Sequence, residues 1–246
     1  MSRYVTLAVL LAVFCGATIW MTSLGSVGIF KMAPPMKVLT ATLRHLQIVA
    51  AAELLAILIG IPIGFMVTRR AFRFVSPLLI GIANIGQTVP TLAFIGVAGV
   101  FLGMGYNAAV IALFAYTVLP IIRNSYAGIR SVDPAIKEAA QGMGMSKWQV
   151  TQRVELPLAR PVIMAGIRTS TVVNVGTAAV AGMIGAGGLG ELIMTGIAVR
   201  TTQLIIQGAA PTAALAIALD AILGKIEDWM TPRGLKVLKL AQWQQQ

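Results

Sequence analysis

The side chains of this chain that could do chemistry are few and scattered. His45 is the only histidine and Cys15 the only cysteine in 246 residues. No helical His–Glu pair, thiolate cluster or Cys–His relay can therefore be assembled, and no metal site and no catalytic residue is expected. A histidine-based relay would rest on His45 alone, and Cys15, inside an apolar run, reads as a small packing residue. The ionisable groups deepest within apolar stretches include Glu53, Arg168 and Asp220. Each is costly against lipid and is expected to face a bundle interior. Arg168 and Asp220 fall at comparable depth and are a candidate intramembrane ion pair; the alternative is that Arg168 snorkels to the headgroups. Glu53 has no evident partner at matching depth, and either stays protonated or lines a path.

A second polar group, Asn84, Gln87, Thr88 and Pro90, interrupts a long apolar run. Proline removes a backbone hydrogen bond, which a membrane helix tolerates where a cavity or a polar neighbour satisfies the freed carbonyl. Two readings stay open: the break lines a translocation pathway, with Asn174 facing it, or it is a kink packed in the bundle. The glycine-rich residues 185–190 lack a following Gly-Lys-Ser/Thr and follow a spanning helix instead of a strand. A phosphate-cradling loop is therefore not expected. The alternatives are a close-packed turn and a direct part in gating. Gly60 and Gly64, four apart, fit close helix packing.

The elements that must position these residues follow from composition. With 57% hydrophobic and 11% charged residues and a mean hydropathy of +0.85, the chain exceeds the roughly 45–50% apolar fraction of soluble domains and belongs in a bilayer. Its net charge of +11 then reports which loops face the cytoplasm, and nucleic acid is not expected as a partner. About 20 apolar residues cross a bilayer, and six stretches qualify: residues 5–24, 40–68, 76–103, 106–122, 162–184 and 204–223. The first has a signal peptide as its rival, but Ile19-Trp20-Met21-Thr22 does not resemble a small-x-small cleavage site. The third is expected to be bent or broken. Residues 25–39 read as a loop. With both termini inside, Arg3, Arg69, Arg70, Arg73, Arg123, Arg130, Lys137, Lys147, Arg153, Arg160 and the basic tail are cytoplasmic, and only Lys31, Lys37, Arg44 and Arg200 lie outside. No inverted internal repeat of the secondary-transporter kind is evident.

Residues 133–157 are the longest stretch that cannot sit in lipid, because Lys137, Glu138, Lys147, Gln149, Gln152, Arg153 and Glu155 follow one another with little apolar relief. They are nonetheless written as helices. Asp133 before Pro134 is an N-cap with proline at the first helical position. Gly142 and Gly144 break the run, Ser146 with Gln149 makes a second capping signal, and Leu156-Pro157 marks the expected stop. Two short cytoplasmic helices joined by a glycine turn result.

Within this segment Glu138-Ala139-Ala140, Gly144 and Val154-x-Leu156-Pro157 resemble the EAA signature of permease subunits of ATP-binding-cassette importers, with Val154 where isoleucine is usual. Gln87-Thr88-Val89-Pro90, residues 115–124, Gly166-Ile167-Arg168-Thr169 and residues 184–190 resemble the glycine betaine, carnitine and choline permeases of the osmoprotectant uptake family. The resemblance implies an all-α membrane protein with the type I importer transmembrane domain: about six spans, both termini inside, and coupling helices between the fourth and fifth. Residues 1–36 then form the first span and outer loop, 37–225 the transmembrane domain with its coupling segment at 131–157, and 226–246 a basic cytoplasmic tail. It also implies that Glu138, Ala139, Ala140, Gly144, Leu156 and Pro157 couple to a separate ATPase, present in two copies, which binds the ATP; this chain itself holds no cofactor. A second permease, identical or homologous, and a separate periplasmic or lipid-anchored substrate-binding protein complete the expected assembly in the bacterial cytoplasmic membrane. A compatible solute such as glycine betaine, choline or carnitine is the expected cargo; the alternatives are a methionine-like importer and an ion-coupled secondary transporter.

Overall fold

The computed structural model describes residues 33–72 and 74–231. The expected first span with Cys15 and Lys31, Arg73, and the tail beyond residue 231 lie outside them. Among the described residues every regular element is helical: α1 Pro35–Met66, α2 Ser76–Gly86, α3 Thr91–Leu102, α4 Tyr106–Arg130, α5 Pro134–Gly142, α6 Lys147–Val150, α7 Leu156–Ala178, α8 Leu189–Ala198 and α9 Thr202–Met230. Short 3₁₀ turns lie at Arg70–Phe72 and Val180–Ile184.

Several boundaries differ from the sequence expectation, each for a local reason. α1 begins at Pro35, within the stretch read as a loop, because proline suits a helix's first turn, where no backbone donor is required. α4 continues past Arg123 to Arg130, since both arginines are exposed and a charge does not end a helix that has left the apolar zone. The third span is broken as expected: α2 ends at Gly86, and Pro90, with ψ 132°, turns the chain out of helical geometry before α3.

By length and apolarity, three helices among the described residues suit a membrane crossing, α1, α4 and α9, or four if α2 and α3 together make one span. α7 has the length, at 23 residues, but Arg160, Arg168 and the polar run Thr169-Ser170-Thr171 dilute its apolarity.

The chain divides into two compact units. The first takes the described residues up to Glu53, Pro90–Tyr116 and Thr171–Asp220; the second takes Leu54–Val89, Thr117–Ser170 and the described residues from Ala221 onward. All three described cations expected outside, Lys37, Arg44 and Arg200, fall in the first. Arg69, Arg70, Arg123, Arg130, Lys137, Lys147, Arg153 and Arg160, all expected in the cytoplasm, fall in the second.

The core of the first unit packs Ile48, Val49 and Ala52 of α1 against Ile95 and Ala98 of α3, residues 108–110, 112 and 113 of α4, and Val175 and Ala178 of α7. It is rich in alanine because helices in lipid gain from close backbone approach more than from apolar bulk. In the second unit Ile129, Ala159, Ile163, Met164 and Ile167 form the core, with Ile57, Ile61 and Phe65 against it. Gly60 and Gly64 let α1 lie on α4 there. A Cβ on Gly60 would meet Ile121 at 2.9 Å, and one on Gly64 would meet the Ile122 carbonyl at 2.7 Å.

Candidate coupling segment and buried polar residues

α5 starts where the sequence places it. The Asp133 side chain accepts a hydrogen bond from Ala135 N at 2.8 Å, with Pro134 next. At its far end Gly144 takes φ +86°, a left-handed conformation costing a non-glycine residue about 1–2 kcal/mol. Met145 N–H there donates to the Ala140 carbonyl at 3.2 Å. α6 opens with a capping box: Gln149 N–H donates to Ser146 Oγ at 3.3 Å and Ser146 N–H to Gln149 Oε1 at 2.8 Å.

The expected stop at Leu156-Pro157 is not observed. α6 runs through a π-helical turn, Thr151–Glu155, directly into α7, with Leu156 N–H donating to the Thr151 carbonyl. Pro157 stands at the second position of α7, where its missing N–H leaves the helix uninterrupted, and the widened turn absorbs its ring. The segment after Ser146 is thus one helical rod with α7.

Exposure sorts the expected coupling residues. Glu138, Ala139 and Gly144 are exposed. Ala140 is only 2% exposed and packs inside the chain, which corrects its expected place at a contact: its small side chain lets α5 lie close to its own neighbours. Leu156 and Pro157 are half-buried and join the rod to α7. Sequence reasoning missed the apolar groups that face outward beside Glu138: Ile136 at 46%, Met143 at 73% and Trp148 at 64% exposure. Large apolar side chains left open on a charged, non-membrane segment were the available signal.

A charged knot braces the segment within the second unit. Arg69, just past α1, donates to both Glu155 oxygens, at 2.6 and 3.4 Å, and to Thr151 Oγ1 at 3.2 Å. Lys137 of α5 reaches Glu155 Oε1 at 3.3 Å and the Ile129 carbonyl of α4 at 3.3 Å. Burial alone pushes the Glu155 carboxyl up. The Arg69 hydrogen bond and charge, the Thr151 hydroxyl and the Lys137 charge outweigh it and hold the group below its ordinary value. One carboxylate thereby ties together α5, the π turn and the end of α1.

The buried polar residues of the first unit form a different arrangement. Asn174 of α7, fully buried, donates through Nδ2 to Glu53 Oε2 at 3.0 Å and to the Val49 carbonyl at 3.3 Å. Glu53 therefore has the partner that depth matching along the sequence did not find. His45, also fully buried, meets the Val175 carbonyl through Nε2 at 3.0 Å; a carbonyl only accepts, so Nε2 carries the proton. Residues 185–190 close over this face of α1. Arg44 Nε donates to the Ala186 carbonyl at 3.4 Å and its guanidinium lies 4.2 Å from the Tyr106 ring centre. A Cβ on Gly188, at φ +76°, would meet the His45 backbone at 3.2 Å, and one on Gly190 would overlap the Ala179 carbonyl. The glycines are thus the close-packed turn that sequence reasoning offered as one alternative.

At the break in the third span, Gln87 Nε2 donates to the Ala83 carbonyl at 3.1 Å and Thr88 Oγ1 to the Ile85 carbonyl at 2.7 Å. Both close the last turn of α2, while Asn84, Thr88 and Pro90 stay exposed. Asn174 is held by Glu53 and Val49, as above. Arg168 reaches Glu227 of α9 at 3.7 Å, a partner that sequence reasoning did not weigh.

Residues 60–233 match the family described as binding-protein-dependent transport system inner membrane component. The chain is 44% identical over 190 residues to the carnitine transport permease protein OpuCD of Listeria monocytogenes, covering 77% of this chain and 84% of that protein. It is 43% identical over 203 residues to the choline transport system permease protein OpuBB of Bacillus subtilis, covering 82% and 93%. With the osmoprotectant import permease protein OsmY of Salmonella typhimurium it shares 45% over 180 residues, covering 73% and 76%. Among solved structures it superposes on a chain of the inward-facing MetNI methionine ABC transporter with a TM-score of 0.71 at 22% identity, covering 81% of this chain and 100% of that one. This likeness places the fold among the type I importer transmembrane domains. The chain belongs to the binding-protein-dependent inner membrane component family: it is a multi-pass permease subunit of an ABC importer, working with an ATPase and a substrate-binding protein.

Proposed function

We propose that this chain is half of the transmembrane pathway of an importer for small quaternary-ammonium osmoprotectants such as glycine betaine, choline or carnitine. Two copies of a separate ATPase bind the ATP and supply the drive; this chain carries no cofactor of its own. The observation that carries the mechanism is the α5–Gly144–α6 segment. Its capped helices offer Ile136, Met143 and Trp148 beside Glu138 and Ala139, a surface that an ATPase groove would cover, with Gly144 supplying the turn. The rod from Ser146 through α7 carries the groove's closure into the membrane, and stiff elements moving as bodies are what a bistable lever needs. The excess of cations in the loops read as internal supports termini on the cytoplasmic side.

A second permease, identical or homologous, completes the pathway, and a periplasmic or lipid-anchored binding protein delivers the cargo. The choice of cargo rests on the relatives. Asn84, Gln87, Thr88 and Pro90 are assigned to the pathway wall, because Asn84 and Thr88 are exposed and Gln87 half-buried, and polar groups left open at membrane depth call for a polar cavity or a partner subunit.

Deleting residues 138–144 is expected to abolish co-purification with the ATPase while the chain still inserts; retained complex and ATP-driven uptake would defeat the coupling assignment. Reconstituted complex with its binding protein should accumulate labelled glycine betaine, choline or carnitine only with ATP. Uptake of methionine alone would move the chain to a methionine-type importer, and uptake without nucleotide to an ion-coupled carrier.

A further inference from the structure

The second unit contains a cavity of about 300 Å³ beside the turn that follows α1. Its wall includes Thr68, Arg69, Arg70, Ser76, Tyr126 and Arg130, and no carboxylate. Glu155 offsets the charge of Arg69. Arg70 makes no ion pair among the described residues, and Arg130 lies 5.9 Å from the Tyr126 ring centre without a described carboxylate. Two guanidinium groups thus face this space uncompensated. The first turn of α2, an 11-residue helix, also opens on it through Ser76 and Pro77, adding the positive end of a helix dipole. Ser76 is the independent pointer to a ligand. It is only 7% exposed, it lines the cavity, and its hydroxyl has no hydrogen-bond partner among the described residues.

Arginine forks, a buried hydroxyl and a helix N-terminus together suit a group carrying several anionic oxygens, which guanidinium binds bidentately. The volume is at the small end for ligand sites and matches a headgroup better than a larger metabolite. We propose that this cavity binds a phosphoryl anion. The rim favours an anionic phospholipid headgroup over free phosphate as its source. Phe74 is 84% exposed and Leu78 64%, and they flank the lining residues Ser76 and Pro77 in the chain, so apolar side chains on which acyl chains can lie stand next to this wall in sequence, and basic pockets at the cytoplasmic ends of membrane helices are suited to such lipids.

The test uses the assembled importer, purified and passed through detergent exchange, with native mass spectrometry counting retained phosphatidylglycerol. Arg70→Gln and Arg130→Gln, both at exposed side chains, should each lower retention about fivefold, and the double variant about 25-fold. Arg200→Gln, in the other unit, should leave it unchanged. Retention that resists millimolar inorganic phosphate assigns the site to the lipid; retention replaced by bound phosphate assigns it to the free anion. Equal occupancy by either probe in the wild type and the double variant overturns the proposal. A measurement on the unaltered importer guards against a variant that fails to assemble. In nanodiscs, exchanging phosphatidylcholine for phosphatidylglycerol, or adding phosphate, should slow amide exchange at Arg69, Arg70 and Phe72 several-fold, and identical exchange in all three conditions overturns it too.

Discussion

The coupling segment and the buried polar cluster of the first unit solve opposite problems with polar side chains. In the coupling segment, polar groups act on their own backbone: Asp133 caps α5, Ser146 and Gln149 cap each other's helix turn, and Gly144 supplies the left-handed residue. Each partner lies within three residues, so the segment keeps its shape while its outer face stays open. Around His45, Glu53 and Asn174 the partners lie 121 to 130 residues apart, and the shape exists only once α1 and α7 have packed. The first arrangement is stiff locally. The second is a lock between helices in a medium where an unpaired polar group is costly.

If that contrast holds, the largest loss comes from disturbing the packing of the first unit. Gly190→Val would drive its side chain into the Ala179 carbonyl, and at least about 3 kcal/mol of destabilisation is expected. Loss of the monodisperse peak on size exclusion in detergent would register it, while a normal peak would mean that residues 185–190 are not a packed lock. Asn174→Ala comes next. It strips donors from Glu53 and Val49, and a drop of about 1–3 kcal/mol should appear as a lower Tm. Replacing Glu53 and Asn174 together by leucine should cost less than the sum of the singles; strict additivity would uncouple them.

The charged knot lies between these extremes. Glu155→Gln is expected to cost about 1–2 kcal/mol, because Arg69 and Lys137 remain partly open to water and the pairs are screened. The sign of its pH dependence follows from the lowered carboxyl. Its stabilisation is present in full above the ordinary value of 4.5 and is lost as pH falls through the lower folded value. The Tm gap between wild type and Glu155→Gln should therefore be constant near neutrality and close below about pH 4.5. A gap that widens on acidification would contradict the assigned network. Ser146→Ala should have the smallest effect, about 1 kcal/mol, confined to faster amide exchange in α6. Equal loss of protection in α1 would show that the coupling segment is not locally built.

The family signature was legible because the segment's own chemistry is local. Asp133-Pro134, Ser146 with Gln149, and Gly144 each state their conformation within one turn of chain, and the structure places all of them as read. The continuation through Leu156-Pro157 was not legible, since a stop signal and a proline accommodated by a π turn look alike in one dimension. Ala140 illustrates the same limit: it belongs to the signature, yet its face is decided by what α5 packs against. The outward apolar groups Ile136, Met143 and Trp148 were visible as residues, but only their exposure made them a surface.

Hydropathy and local capping determined by themselves that this chain lives in a membrane and where the helices of residues 133–150 begin and turn. These properties depend on solvation and on backbone neighbours a few residues away. Only the tertiary structure decided that Glu53 meets Asn174, that Arg168 meets Glu227, that Arg69 and Lys137 share Glu155, and that Arg70, Ser76 and Arg130 surround one cavity. Such pairings depend on which faces of distant helices come together, and a side chain's partner across a helix interface leaves no periodicity in its own segment.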